Sequence, residues 1–253
     1  MVIQVLKNVD VFTHIYNALC GFPVAMHNYI EEGVTPTLES PQFAKLADVI
    51  DPWKYVDRLV NTRKLSINSL GDEFFAPDLS TFAFLEMPGQ QKNRHQYYIP
   101  NAGHAMNADA WKIVASFNYA VLHNIALPTY TFTHAFSDSG VSIEVRITNG
   151  KIPTSVNVWQ ATNANGRDFR RTTIGNVWTS TSISAVSRNQ PTTFRTFVAK
   201  PASGYTAVSI ELVFDGYFTD KSIPYLKFST DTFITPNVLP CNYSNATSYA
   251  MIF

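Results

Sequence analysis

The hydrophobic pattern of the chain changes period at Leu127-Pro128, and that change restricts the available folds more than any other feature. In "GVSIEVRIT", Val141, Ile143, Val145 and Ile147 alternate with Ser142, Glu144, Arg146 and Thr148. Such alternation sends one set of side chains to each face of a strand. "TSVNVWQA", "NVWTSTSIS", "TTFRTFVAK" and "YTAVSIELVFD" continue in this style between Gly, Pro and Asn turns. The pattern predicts about six or seven short antiparallel strands, the number in an immunoglobulin-like β-sandwich. Residues 127–236 are assigned to it and 237–253 to a tail. Trp159, Trp178, Phe194, Phe197, Tyr205 and Phe214 read as its core.

Before the change, strand-like runs alternate with helix-like ones. "VIQVL", "KLSIN" and "HQYYIP" are extended segments, "SPQFAKLADVI" opens on a Ser-Pro helix start, and "APDLSTFAFLEM" has Pro77 at a first helical position. In "NADAWKIVASFNYAVLHNI", Trp111, Val114, Ala115, Val121, Leu122 and Ile125 gather mostly on one helical face, and Asn107 caps the start. Strand and helix in alternation predict an α/β unit over residues 1–126, a parallel sheet with crossover helices. The fold class is thus α/β followed by all-β.

Composition removes several function classes. Lys plus Arg and Asp plus Glu balance at 19 each, so no net field draws nucleic acid or an anionic membrane. Basic residues are not interleaved with aromatics in a way that follows a phosphate backbone. No apolar run reaches the roughly 18 residues of a membrane span. Trp111 to Leu127 is interrupted by Lys112, Asn118, His123 and Asn124, and reads as an amphipathic core helix. "MVIQVLKNVDVF" lacks the charge and apolar blocks of a signal peptide. Cys20 and Cys241 are able to pair in an oxidising compartment, though their count alone does not decide it. Asn242-Tyr-Ser and Asn245-Ala-Thr are adjacent glycosylation sequons beside Cys241, which tilts the reading towards secretion.

One constellation suits chemistry. "KLSINSLGD" places Asp72 just past a strand, and "HQYYIPNAGH" places His104 just past the next, 32 residues later, with a helix expected between. An acid and a histidine so placed meet the geometry of a catalytic triad, in which the carboxylate orients the imidazole. Gly71 and Gly103 let each turn tighten. Equally, an Asp in a Gly-Asp turn commonly binds nearby backbone amides. The other histidines offer less. His14 and His27 lie in an aromatic-rich stretch expected to pack over the sheet as a cap. His95, His123 and His134 have no companion and read as satisfied or partly exposed. No metal-ligand spacing appears, and no metal or cofactor is expected. In "NGRDFRR", Arg167, Arg170 and Arg171 surround Asp168. They form either a charged hairpin crossing with a local Asp–Arg pair or a contact for a small anion or carboxylate.

The stretches "AMHNYIEEGV", "FAKLADVIDPWKYVDRL", "KLSINSLGDEFFAPDLSTFAFLEMPG", "YYIPNAGHAM" and "VWQATNANGRDFR" resemble the PhoPQ-activated pathogenicity-related protein family. The resemblance implies an α/β-hydrolase-like fold with an appended β domain, and Asp72 and His104 at the triad's acid and histidine positions. The family's nucleophile turn precedes the strand matched by "VIQVL", and nothing after Met1 reads G-x-S-x-G. The chain is therefore expected to be a carboxyl-terminal part that lacks the nucleophile and does not catalyse by itself. The role so implied is a secreted signalling or growth-restraining factor that meets a protein partner or cell-surface receptor. The alternative is part of a serine hydrolase, an esterase or peptidase whose Ser lies upstream.

Overall fold

In the computed structural model, described for residues 7–82, 84–244 and 250–252, helices and one parallel strand pair precede two mainly antiparallel sheets. The run "VIQVL" lies outside the described residues. Helix α1 (Asn8–Leu19) buries Val11, Phe12, Ile15 and Tyr16, a three-and-four spacing that lines one helical face. Its end at Cys20 takes a left-handed backbone, φ 63°. A short strand β1 (Phe22–Pro23) and helix α2 (His27–Glu31) lead to α3 (Pro41–Ile50). There Ser40 Oγ accepts the Phe43 amide and Pro41 opens the helix, as the Ser-Pro start predicts.

Strands β2 (Lys64–Ser69) and β3 (Arg94–Ile99) pair in parallel, Lys64 opposite Arg94 through Ser69 opposite Ile99. The connection between them corrects one expectation: among the described residues of "APDLSTFAFLEM" the helical structure is a 3-10 turn, Leu79–Phe82. The reason is tertiary. The Ser80 amide donates to Tyr98 Oη, Ser80 Oγ bonds Asp231, and Asp78 is taken by His14 and Arg167. Polar groups that would start a helix are committed elsewhere, and Pro88-Gly89 ends the segment.

Helix α4 (Ala108–Leu122) starts as expected, with Asn107 Oδ1 accepting the Asp109 amide at 2.9 Å. Its inward face is a second correction. Ala110, Ile113, Phe117 and Ala120 are buried, whereas Trp111 is 77% and Leu122 82% exposed. Both faces of the helix carry apolar residues. The one with small residues at its ends packs inwards, because it allows close approach to the sheet.

The remaining strands are β4 (Thr129–Ser137), β5 (Gly140–Asn149) and β6 (Ser155–Asn163). After a short helix α5 (Arg171–Ile174) come β7 (Thr179–Ser182), β8 (Ala185–Ser187), β9 (Gln190–Ala199), β10 (Tyr205–Phe214), β11 (Leu226–Ser229) and β12 (Phe233–Thr235). They form one sheet in the order β4-β5-β9-β8 and a second in the order β11-β10-β6-β7, with β12 also on β10. Val141, Ile143 and Val145 of β5 share a buried cluster with Val208, Ile210 and Leu212 of β10. Leu65, Ile67 and Tyr97 of the parallel pair, with Ile113 and Phe117 of α4, belong to the same cluster. Of the aromatic set, Trp178, Phe194 and Phe214 are buried, and Trp159 and Tyr205 pack partly against a smaller cluster. Phe197 corrects the reading: it lies on the outward face of β9 and is half-exposed.

Cys20 and Cys241 form a disulfide that ties the carboxyl-terminal segment to the end of α1. There β13 (Met251–Ile252) pairs in parallel with β1. Among the described residues no helix is long and apolar enough to cross a membrane.

Candidate functional site

The turn after β2 is fastened on both sides. The Gly71 amide donates to Ala102 O at 3.1 Å, and the Arg171 amide donates to Gly71 O at 2.9 Å. A side chain at Gly71 would stand 3.0 Å from both Ala102 O and Arg171 Cβ, so glycine is needed for the close approach. The next residue, Asp72, is buried. Its Oδ1 accepts from the Phe74 and Phe75 amides at 2.8 and 3.2 Å. His104 Nδ1 lies 3.1 Å from each carboxylate oxygen.

The turn after β3 is built to meet it. Asn101, at φ 54°, brackets Trp178 by donating to its carbonyl and accepting its amide. Gly103 passes over Glu73, where a Cβ would come 2.3 Å from Oε1, and Glu73 Oε2 accepts the His104 amide at 2.6 Å. The His104 ring rests against Phe74, centroids 4.5 Å apart, and its side chain is 41% exposed.

This arrangement sets the proton positions. An ionised carboxylate only accepts, so Nδ1 of His104 carries the hydrogen of this contact. Burial pushes the Asp72 carboxyl up, while the Phe74 amide, His104 and the Phe75 amide pull it down. The two readings left open for Asp72, turn residue and histidine partner, describe one carboxylate doing both. Glu73 and Asn101 escaped the sequence reading, although their place beside Asp72 and Gly103 was a signal.

The other candidates disperse. Arg170 holds Asp168 in a local pair at 2.8–3.0 Å, Arg171 Nε turns to Asn176 Oδ1, and Arg167 reaches Asp78. Each arginine thus has a different side-chain acceptor. His14 Nε2 meets Asp78 Oδ1 at 3.0 Å, and His27 Nδ1 donates to Val24 O. His95 is buried with Nε2 donating to Pro128 O, and exposed His123 packs on Tyr119. No group of three or more His, Cys, Asp or Glu among the described residues is placed to hold a metal. Asn242 is exposed beside the disulfide, and Asn245 lies outside the described residues.

Comparison with known proteins gives two matches of use. A family model described as PhoPQ-activated pathogenicity-related protein matches residues 1–170. Autocrine proliferation repressor protein A of Dictyostelium discoideum is 28% identical over 268 residues, covering 97% of this chain and 53% of that protein. The chain thus spans about half the length of this curated relative. No solved structure matches.

Proposed function

Because the chain belongs to the PhoPQ-activated pathogenicity-related protein family, we propose that it is a secreted, autocrine proliferation repressor-like factor acting through surface contacts. Its counterpart would be a protein partner or cell-surface receptor. The observation that carries this reading is the similarity to autocrine proliferation repressor protein A along nearly the whole chain. The Cys20–Cys241 disulfide supports an oxidising, extracellular setting. The exposed Asn242 sequon supports glycosylation there, with Asn245 as the second proposed acceptor. In this reading residues 1–126 descend from an α/β-hydrolase-like domain with β2 and β3 as its last strands. Residues 127–236 are an immunoglobulin-like sandwich and 237–253 a tail.

The test is a proliferation assay with purified protein added to dividing cells of its native host. Growth should slow, and Asp72→Asn and His104→Ala proteins should slow it equally. No effect at any concentration overturns the reading.

A second reading, part of a serine hydrolase, is favoured by the Asp72–His104 contact itself. A serine contributed from outside these 253 residues would give its proton to His104 Nε2 while attacking an ester or peptide carbonyl. Asp72 would hold Nδ1–H and stabilise the imidazolium. Fluorophosphonate labelling of the complete gene product, lost on His104→Ala, would select this reading over the first.

A further inference from the structure

The outward face of β4, β5 and β9 is laid out by strand register. Ser142 stands between Ala135 and Phe197, and Glu144 between Thr133 and Arg195. Alternation turns these six away from the core, because Val141, Ile143 and Val145 point into it. Large side chains on β9 beside small ones on β4 and β5 leave a solvent-open depression of about 500 Å³, lined by all six. Small-molecule sites span about 300–1,000 Å³, so the space suits a small ligand.

Its polar and apolar groups are open to solvent. Phe197 is 51% exposed, and its ring leans over Gly140, where a Cβ would come 2.9 Å from ring atom Cζ. The Arg195 side chain is 59% exposed. Its Nε donates to Glu144 Oε2, whereas Nη1 and Nη2 have no acceptor among the described residues. Glu144 Oε1 accepts from Arg146 Nη2 at 3.3 Å, so both carboxylate oxygens are engaged. Thr133 and Ser142 add exposed hydroxyls. The permanently charged side chains on the strands of this sheet are Glu144, Arg146 and Arg195, which leaves one positive charge in surplus. A matching ligand has one negative charge, one apolar face and hydroxyls elsewhere. We propose that the depression binds a hexuronic acid residue at the end of a glycan chain. Its carboxylate takes Nη1 and Nη2 of Arg195, the C–H face of its ring lies on Phe197, and its hydroxyls meet Thr133 and Ser142. Guanidinium and carboxylate match in shape as well as charge. An aromatic acid would also cover Phe197, but in so open a place its second apolar face would stay in water. The open side lets the rest of the glycan leave. The site is independent of both functional readings above.

Methyl β-D-glucuronide, whose blocked anomeric carbon stands for the chain, tests this when titrated into the full chain at constant ionic strength and followed by amide NMR. Saturable shifts centred on Ser142, Glu144 and Phe197 are expected, with Kd on the order of 1–10 mM for a single sugar ring. Methyl β-D-glucoside, which keeps the ring without the carboxylate, and sodium phenylacetate should each bind at least about fivefold more weakly. Phe197→Ala should weaken glucuronide binding at least about tenfold. Arg195→Gln should bring glucuronide down to the affinity of glucoside while glucoside itself is unchanged, which separates a charge contact from a general disturbance of the face. Both side chains are more than half exposed, so both variants should melt as the parent does. No saturable shift up to about 50 mM glucuronide, equally tight binding of glucoside or phenylacetate, shifts centred away from β5 and β9, or an Arg195→Gln protein that loses both sugars alike overturns the proposal.

Discussion

At the scale of single residues, Asp72 and His104 were legible because each follows a strand-like run and sits beside a glycine. Asp78, Arg167 and Asp231 were not, since their partners lie far along the chain: 89 positions separate Arg167 from Asp78 and 135 separate Gln96 from Asp231. Asp72→Asn should keep the turn, because one amide oxygen still accepts from Phe74 and Phe75. Its NH2 would face His104 Nδ1 and force the hydrogen to Nε2. Nitrogen NMR of His104 should report that tautomer change, with a loss of about 1–2 kcal/mol in stability. Asp231 and His95 act in opposite directions with pH. Burial raises the Asp231 carboxyl from 3.8 to about 6, so between those values the folded state holds a proton that the unfolded state has lost. Stability therefore falls as pH rises through that window, by on the order of 3 kcal/mol at pH 7. Burial lowers His95 from 6.5 to about 4, so there the unfolded state binds the extra proton and stability falls as pH drops. Asp231→Asn should stabilise the fold at pH 7.5, gain nothing near pH 3.5, and unmask the steeper acid loss due to His95. Urea midpoints across this range read the effect directly.

At the scale of elements, strand positions were readable from alternation and helix starts from caps, but helix faces and one crossover were not. Helix α4 shows why: a periodic pattern says that a face is apolar, not which of two apolar faces the sheet accepts. The buried face carries Ile113 and Phe117, and the exposed one carries Trp111 and Leu122. Phe117→Ala should cost about 3–5 kcal/mol, and Trp111→Lys should stay within about 0.5 kcal/mol. Denaturant unfolding of the two variants separates these outcomes cleanly. The 77–88 segment shows the converse, in which helix-forming residues yield to bonds with Tyr98, Asp231 and Arg167. β10 is buried on both faces from Thr206 to Phe214: alternation placed the strand correctly, while its polar residues Ser209 and Glu211 are buried with the rest, Glu211 accepting from Tyr97 Oη.

At the scale of the whole molecule, the change of period at Pro128 marks where sheet type changes, while the buried core runs through it. Tyr97 Oη donates to Glu211, the Tyr98 amide donates to Ser229 Oγ, and Gln96 donates to Asp231, all across that point. Residues 1–126 alone would leave those groups unpaired and Leu65, Ile67 and Tyr97 uncovered, so that piece should aggregate on expression. Residues 127–236 keep the β5–β10 contacts and should melt cooperatively by themselves. The closure of the chain was beyond the sequence, which supplied two cysteines but not their meeting. The structure brings them together because α1 ends at Cys20 and the Cys241 amide donates to Asn17 O one turn earlier. The bridge spans 221 positions, so it removes much chain entropy from the unfolded state. Cys20→Ser with Cys241→Ser should lower stability by about 2–5 kcal/mol. It should also release β13 from β1, raising amide exchange at Phe22 while exchange at β5 and β10 stays slow. Equal acceleration throughout would mean that the bridge supports the whole core rather than fastening one end of it.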